Sequence, residues 1–301
     1  MRLTTRTLTR AGCALLLLAT AGCAADTSTK EPIVNHKPKS ILVVGNSLSY
    51  QHGVVLKASL AQSGIEVYNE AGPEMAQWGE DNPFVNLKDD YSKFVIKYKP
   101  DVVLVTTFFT LPQFECTGDQ QEAALCREKG VQLSDEILGK DLVDTLAQTG
   151  AKVVWVNYPH AGPFYLERSA NVTRFGEILG DAMDAVAAKD PRLSTIGYEK
   201  AITNPGEKFS QWIEKDGKWL QMRGFDDLHL CQFGSERFAE YVSPLLDPAW
   251  DDHDPSWHTG SWRQDKLFEF STFKGDLQCS NEALDAPQSN PLAPQTTDTT
   301  P

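Results

Sequence analysis

Along most of the chain, short continuous apolar runs alternate with stretches whose apolar residues recur at helical spacing. Ile41 to Val44 is a β-branched run that stops at Gly45, as expected of a strand buried on both faces. Val54, Val55, Leu56, Leu60 and Ala61 then predict a helix from His52 to Gln62, with Gly64 placed to end it. Ile65 to Asn69 predicts a second strand, and Gly72-Pro73 a turn after it. Phe84, Leu87, Tyr91, Phe94, Val95 and Tyr98 predict the next helix, and Pro100-Asp101 introduces a third strand, Val102 to Val105. A helix from about Ser134 to Gln148, closed by Gly150, precedes a fourth strand, Lys152 to Asn157. An amphipathic helix from Arg174 to Lys189, a short strand Leu193 to Ile196 and a helix from about Gly234 bearing Phe238, Ala239 and Val242 complete the series. This alternation predicts an α/β protein: a flavodoxin-like three-layer α/β/α sandwich on a parallel sheet of about five strands.

The ends break the pattern. Arg2, Arg6 and Arg10 precede the apolar Ala14 to Ala19, the layout of a secretory signal and too short to remain as a membrane span. Thr20-Ala21-Gly22-Cys23 resembles a bacterial lipoprotein cleavage site. The resemblance implies a signal peptide over residues 1–22, lipidation of Cys23 and a lipid-anchored, extracytoplasmic protein held at the cell membrane by several acyl chains. Thr20 stands where such sites usually carry Leu, so plain secretion is the alternative. Residues 23–39 have the composition of a linker, and residues 40–247 form the expected domain. Trp, Asp, His and Pro then mark an extension over 248–280 packed on that domain, and 281–301 is low-complexity and expected to be disordered.

Charge and cysteines narrow the partners. The formal charge of −13 becomes −16 once Arg2, Arg6 and Arg10 leave with the signal peptide, which opposes binding to nucleic acid or anionic head groups. Cys116, Cys126, Cys231 and Cys279 remain for the domain, an even number that argues for disulfides outside the cytosol. Of the three possible connectivities, the short loop favours Cys116–Cys126, with Cys231–Cys279 as the remainder. There is no Cys-x-x-Cys, Gly-rich phosphate loop or dinucleotide fingerprint, so no metal or cofactor is expected. Asp251-Asp252-His253-Asp254 has ligand residue types but no second cluster, and is taken as a solvated loop.

The candidate chemistry begins at Ser47. It would sit at the carboxyl end of the first strand, where open α/β sheets place ligands, and near the positive end of the following helix. A serine needs a base and the base an orienting acid. Asp226 and His229 lie three residues apart on one segment, Gly224 to Leu230, close enough for the carboxylate to accept from imidazole Nδ1–H and leave Nε2 facing Ser47. Asp227 is the alternative acid.

Gly45-Asn46-Ser47-Leu48 resembles the first block of the SGNH, or GDSL-type, hydrolase superfamily, with Asn for the usual Asp. Asp226-x-x-His229-Leu230, followed by Gly234 and a helix, resembles that superfamily's last block. The resemblance covers about Ile41 to Val242 and implies a serine esterase acting on ester-linked acyl groups through an acyl-enzyme. Its second and third blocks depart from the pattern. The oxyanion would be received by Ser47, by Gly72 or Glu74, and by Thr110, because the side-chain asparagine donor expected after strand three is missing.

These departures look like those of the extracytoplasmic SGNH domains of envelope-glycan acyltransferases. That likeness makes an acylated cell-envelope glycan a candidate partner, with Asn157, Trp257 and Trp262 as substrate-binding residues. It leaves two alternatives to the esterase: a glycan O-acyltransferase with the same triad, and a catalytically degenerate glycan-binding lipoprotein.

Overall fold

The computed structural model describes residues 32–72, 83–107, 141–251, 254–269 and 279–285. Its central sheet has five parallel strands: β1 (Ser40–Gly45), β2 (Glu66–Asn69), β3 (Val102–Thr106), β4 (Lys152–Val156) and β5 (Leu193–Ile196), in the order β2-β1-β3-β4-β5. β1 pairs with β2 from Ser40↔Glu66 and with β3 from Ile41↔Val102, so the first strand is interior, paired on both sides, and second from the β2 edge.

Successive strand residues face opposite layers. Ile41 and Val43 pack with α1 (Ser47–Ser59), through Leu48, Val55 and Leu56, and with a C-terminal helix, Gln232–Leu246, through Phe238 and Val242. Leu42 and Val44 pack on the other face, with α2 (Pro83–Tyr98), α3 (Val143–Leu146) and α4 (Pro163–Ala187), through Tyr91, Val143 and Met183. The chain continues through α5 (Glu199–Ile202), the strands β6 (Trp212–Lys215) and β7 (Lys218–Gln221), and then that C-terminal helix, α6. The three-layer α/β/α architecture expected from the alternating pattern is therefore the one observed.

Several expectations are corrected. α1 begins at Ser47 rather than His52, because Asn46 caps it: Asn46 Oδ1 accepts from Leu48 N at 3.0 Å. α4 begins eleven residues before Arg174, at Pro163, a residue suited to a first helical position. The linker does not reach Lys39: Ile33 N donates to Leu245 O at 3.0 Å, and Val34 is buried in the α1–α6 core. β6 and β7 form an antiparallel hairpin that periodicity missed, although Asp216-Gly217 is a strong two-residue hairpin signal and both residues adopt positive φ (53° and 73°). β8 (Leu284–Asp285) adds to β7, so order extends past residue 281, where the tail was expected to start.

After α6, three 3-10 turns (Pro255–Thr259, Ser261–Gln264 and Lys266–Glu269) carry Trp257, Trp262 and Phe268 into the α1–α6 core. Among the described residues no helix is long and apolar enough to cross a membrane.

Candidate active site

The β1–α1 turn is built by close backbone approach. Gly45 has φ +127°, and a Cβ there would lie 2.0 Å from Thr106 O, so only glycine fits. Asn46 N donates to that same carbonyl at 3.1 Å, and Ser49 Oγ donates to it at 2.7 Å while accepting from Thr106 N at 2.8 Å. These contacts fix Ser47 as the first residue of α1. Its N–H has no preceding turn to donate to, and no acidic residue in the first turn offsets the positive end of the helix.

His229 comes from a loop that closes like a small hairpin. Cys231 N donates to Met222 O, Arg223 bridges Leu230, and Gly224 N donates to His229 O at 2.9 Å. Inside the loop, the buried Arg223 donates from Nη1 to Leu228 O at 3.1 Å. Asp226 Oδ1 accepts from Leu228 N and His229 N at 3.1 and 3.0 Å, and Asp226 Oδ2 accepts from His229 Nδ1 at 2.5 Å. Burial would raise the Asp226 pKa, but the hydrogen bonds from His229 and the loop amides hold it below the ordinary carboxylate value. The other imidazole nitrogen, Nε2, lies 2.6 Å from Ser47 Oγ. Ser47, His229 and Asp226 thus form one continuous hydrogen-bonded line.

Asp227 does something else. It adopts φ +60°, accepts from Phe164 N at 2.9 Å and so caps α4, whose own cap residue, Gly162, has no side chain to offer. Burial pushes its pKa up, against the bond from Phe164. The neighbouring carboxylates therefore divide the work: Asp226 faces the imidazole and Asp227 ties the loop to α4.

The two halves of the site are joined by a residue that sequence reasoning missed. Gln51, buried one turn beyond Ser47 on α1, donates from Nε2 to Leu230 O at 2.7 Å and accepts at Oε1 from Leu230 N at 3.0 Å. Both amide groups of a residue adjacent to His229 are thereby fixed to the helix that carries Ser47. A buried glutamine opposite a backbone amide has no local signature, so only the packed structure reveals it. The Cys231–Cys279 disulfide then secures the end of the same loop.

A family described as "protein of unknown function (DUF459)" matches residues 139–245, a stretch that contains Asp226 and His229 but not Ser47. No curated protein matches the sequence. Among solved structures, the chain is similar to the periplasmic domain of a lipopolysaccharide acetyltransferase from Salmonella ser. Paratyphi A. That similarity has 12% identity, a TM-score of 0.45, and covers 70% of this chain and 84% of that one. It is also similar to a GDSL-like lipase from Bacteroides thetaiotaomicron (11% identity, TM-score 0.42, 70% and 89% covered). A family 3 carbohydrate esterase from Clostridium thermocellum matches at 12% identity and TM-score 0.42, with 70% and 98% covered. At these identities and scores, the chemistry has to be derived from the side chains themselves.

The remaining candidates fall in four places. Gly72 N donates to Gly45 O at 3.1 Å, so that N–H is already engaged. Glu74, Thr110, Cys23 and the Cys116–Cys126 pair lie outside the described residues. Asn157 lines a separate cavity of about 310 Å³ with His160, Gly180 and Glu199, and no member of the Ser47–His229–Asp226 line borders it. Trp257 and Trp262 line a larger cavity beside α1, but they are only 6% and 8% exposed.

Proposed function

We propose that this protein is an extracytoplasmic serine acyl hydrolase working through an acyl-enzyme. The carrying observation is the 2.6 Å contact of Ser47 Oγ with His229 Nε2, on an imidazole whose Nδ1 is held by Asp226. Ser47 Oγ attacks an ester carbonyl carbon while its proton passes to His229 Nε2, and Asp226 stabilises the imidazolium that forms. As the tetrahedral intermediate collapses, the carbon–oxygen bond to the alcohol breaks and His229 returns the proton to the departing oxygen. Water, deprotonated by His229, then releases the acid and regenerates Ser47. A second alcohol in place of water makes the same cycle an O-acyl transfer.

The oxyanion forms beside the first N–H of α1, so the Ser47 amide is the natural first donor. Because the Gly72 N–H is held by Gly45, the Glu74 amide and the Thr110 hydroxyl are the remaining donors to test. The signal-like N-terminus and the Cys231–Cys279 disulfide support a location outside the cytosol, with Cys23 as the proposed lipid anchor. Hydrolysis of p-nitrophenyl acetate tests the reading: Ser47→Ala should lower kcat/KM by about 10³-fold or more. Equal rates in the two proteins would favour a glycan-binding lipoprotein without catalysis.

A further inference from the structure

Arg223 is a permanent cation inside the domain that the acyl-enzyme cycle leaves without a task. It is 0% exposed, and its Nη1 donates to Leu228 O at 3.1 Å. Its Nε and Nη2 meet no acceptor among the described residues. Keeping a guanidinium out of water is costly, and one bond to a neutral carbonyl does not offset that cost. Burial accordingly lowers its pKa, yet a guanidinium stays protonated at any working pH.

The carbonyl it meets connects it to the candidate site. Leu228 O and His229 N belong to the same planar peptide unit. That unit accepts from Arg223 at its oxygen and donates from His229 N to Asp226 Oδ1 at 3.0 Å, while Asp226 Oδ2 accepts from His229 Nδ1 at 2.5 Å. With the 2.6 Å contact between His229 Nε2 and Ser47 Oγ, an unbroken chain of hydrogen bonds runs from the guanidinium to the proposed nucleophile. A cation at the carbonyl end polarises the peptide, strengthens its N–H as a donor and so steadies negative charge on Asp226.

Tyr158, Tyr198, Glu199, Asp226 and Asp227 are the ionisable groups that feel this charge. Burial keeps Tyr158 and Tyr198 as neutral phenols, and keeps His52, which hydrogen-bonds Tyr198 Oη at 3.3 Å, as a neutral imidazole. Glu199 is engaged with His160, accepting from its backbone N at 2.6 Å, and burial pushes Asp227 toward its neutral acid. Asp226 is the buried carboxylate held below its ordinary value, and is therefore the matching charge. A proton taken up by His229 in the resting protein would instead add a second cation to the surroundings of Arg223.

We infer that Arg223 is a positioning residue of the candidate site: acting through the Leu228–His229 peptide and Asp226, its charge keeps Asp226 ionised and His229 unprotonated, so that the base stays available in mildly acidic surroundings. The inference rests on the Ser47–His229–Asp226 reading. It is tested by the pH profile of kcat/KM on p-nitrophenyl acetate for the wild type, Arg223→Met, Arg223→Gln and Arg223→Lys, with thermal midpoints as the check on folding. Methionine removes charge and hydrogen bond, glutamine keeps a donor for Leu228 O without the charge, and lysine keeps the charge. Without the cation His229 protonates more readily, so the acid limb should move to higher pH by about one unit in both neutral variants, about a tenfold loss of rate below the limb. Arg223→Lys should restore the wild-type limb. A merely structural role would lower kcat/KM equally at every pH. A limb left in the wild-type position in a folded neutral variant, or moved by methionine but not by glutamine, overturns the role of the charge. Unfolding of both neutral variants would assign Arg223 to the fold and overturns it as well. Fluorophosphonate treatment of the wild type separates the two claims: labelling of Ser47 with an unmoved limb removes the role of Arg223, and absence of labelling removes the nucleophile on which it rests.

Discussion

The two halves of the candidate site are held by different physics. The Ser47 turn is fixed locally, by a glycine that cannot be replaced and by hydrogen bonds from Asn46 and Ser49 to the neighbouring strand. The His229 loop is fixed from a distance: by Gln51 on α1, by Asp227 reaching α4, and by a disulfide to a cysteine 48 residues downstream. A nucleophile can be positioned by its own turn, because the turn is the end of a strand paired on both sides. A base delivered from the far end of the chain has to be clamped by the rest of the domain.

The sharpest way to break this contrast is to separate the adjacent carboxylates. Asp226→Asn should lower kcat by about 10³- to 10⁴-fold with little loss of stability, since it disturbs imidazole tautomer and charge. Asp227→Ala should instead cost about 1 kcal/mol of stability through the lost cap and change kcat by less than about threefold. Comparable kcat losses in both, measured on p-nitrophenyl acetate beside urea denaturation, would contradict the division of labour.

Gln51→Leu comes next. It keeps the volume but releases both Leu230 amide groups, and an imidazole displaced by about 1 Å should cost about 10²-fold in kcat. Near-UV circular dichroism would show that the core is retained. An unchanged kcat in a folded variant would mean that the loop does not need the clasp.

On the nucleophile side, Gly45→Ala should cost more than about 2 kcal/mol, because its Cβ collides with the Thr106 carbonyl rather than with a movable side chain. A urea midpoint equal to the wild type would show that the turn can relax.

The last effect, absent near neutral pH, concerns His52 on α1. It is stacked on Phe238 with ring centroids 3.8 Å apart and hydrogen-bonds Thr106 Oγ1 at 3.1 Å. Burial drives its pKa from 6.5 down to about 3. Between those values the unfolded chain binds a proton that the folded protein refuses. Its contribution to stability is therefore complete above about pH 6.5 and falls as the pH drops toward 3, by at most about 1.4 kcal/mol per pH unit. Urea unfolding at stepped pH should show that slope diminished in His52→Gln, and an identical slope would assign it to other groups.

The same contrast explains what could be read from the sequence. The strands were legible because residues such as Ile41 to Val44 are apolar on both faces, and the ends of the site because Gly-Asn-Ser and Asp-x-x-His are local patterns. The start of α1 was misplaced because apolar periodicity reports the buried stripe and not the cap, although Asn46 was the available signal. Gln51, Arg223 and the α4-capping role of Asp227 were not legible, since each acts on a partner that only the fold brings near. The turn at Asp216-Gly217 is a local signal, but its four-residue strands are too short to show alternation.

The central claim is that Ser47 is activated by His229. The most direct measurement is peptide mapping by mass spectrometry after treatment with a fluorophosphonate, which reports an activated hydroxyl without knowledge of the substrate. The account predicts one adduct, on the peptide containing Ser47, lost in Ser47→Ala and nearly lost in His229→Ala. An unmodified Ser47 in folded protein, or labelling undiminished by His229→Ala, would contradict it.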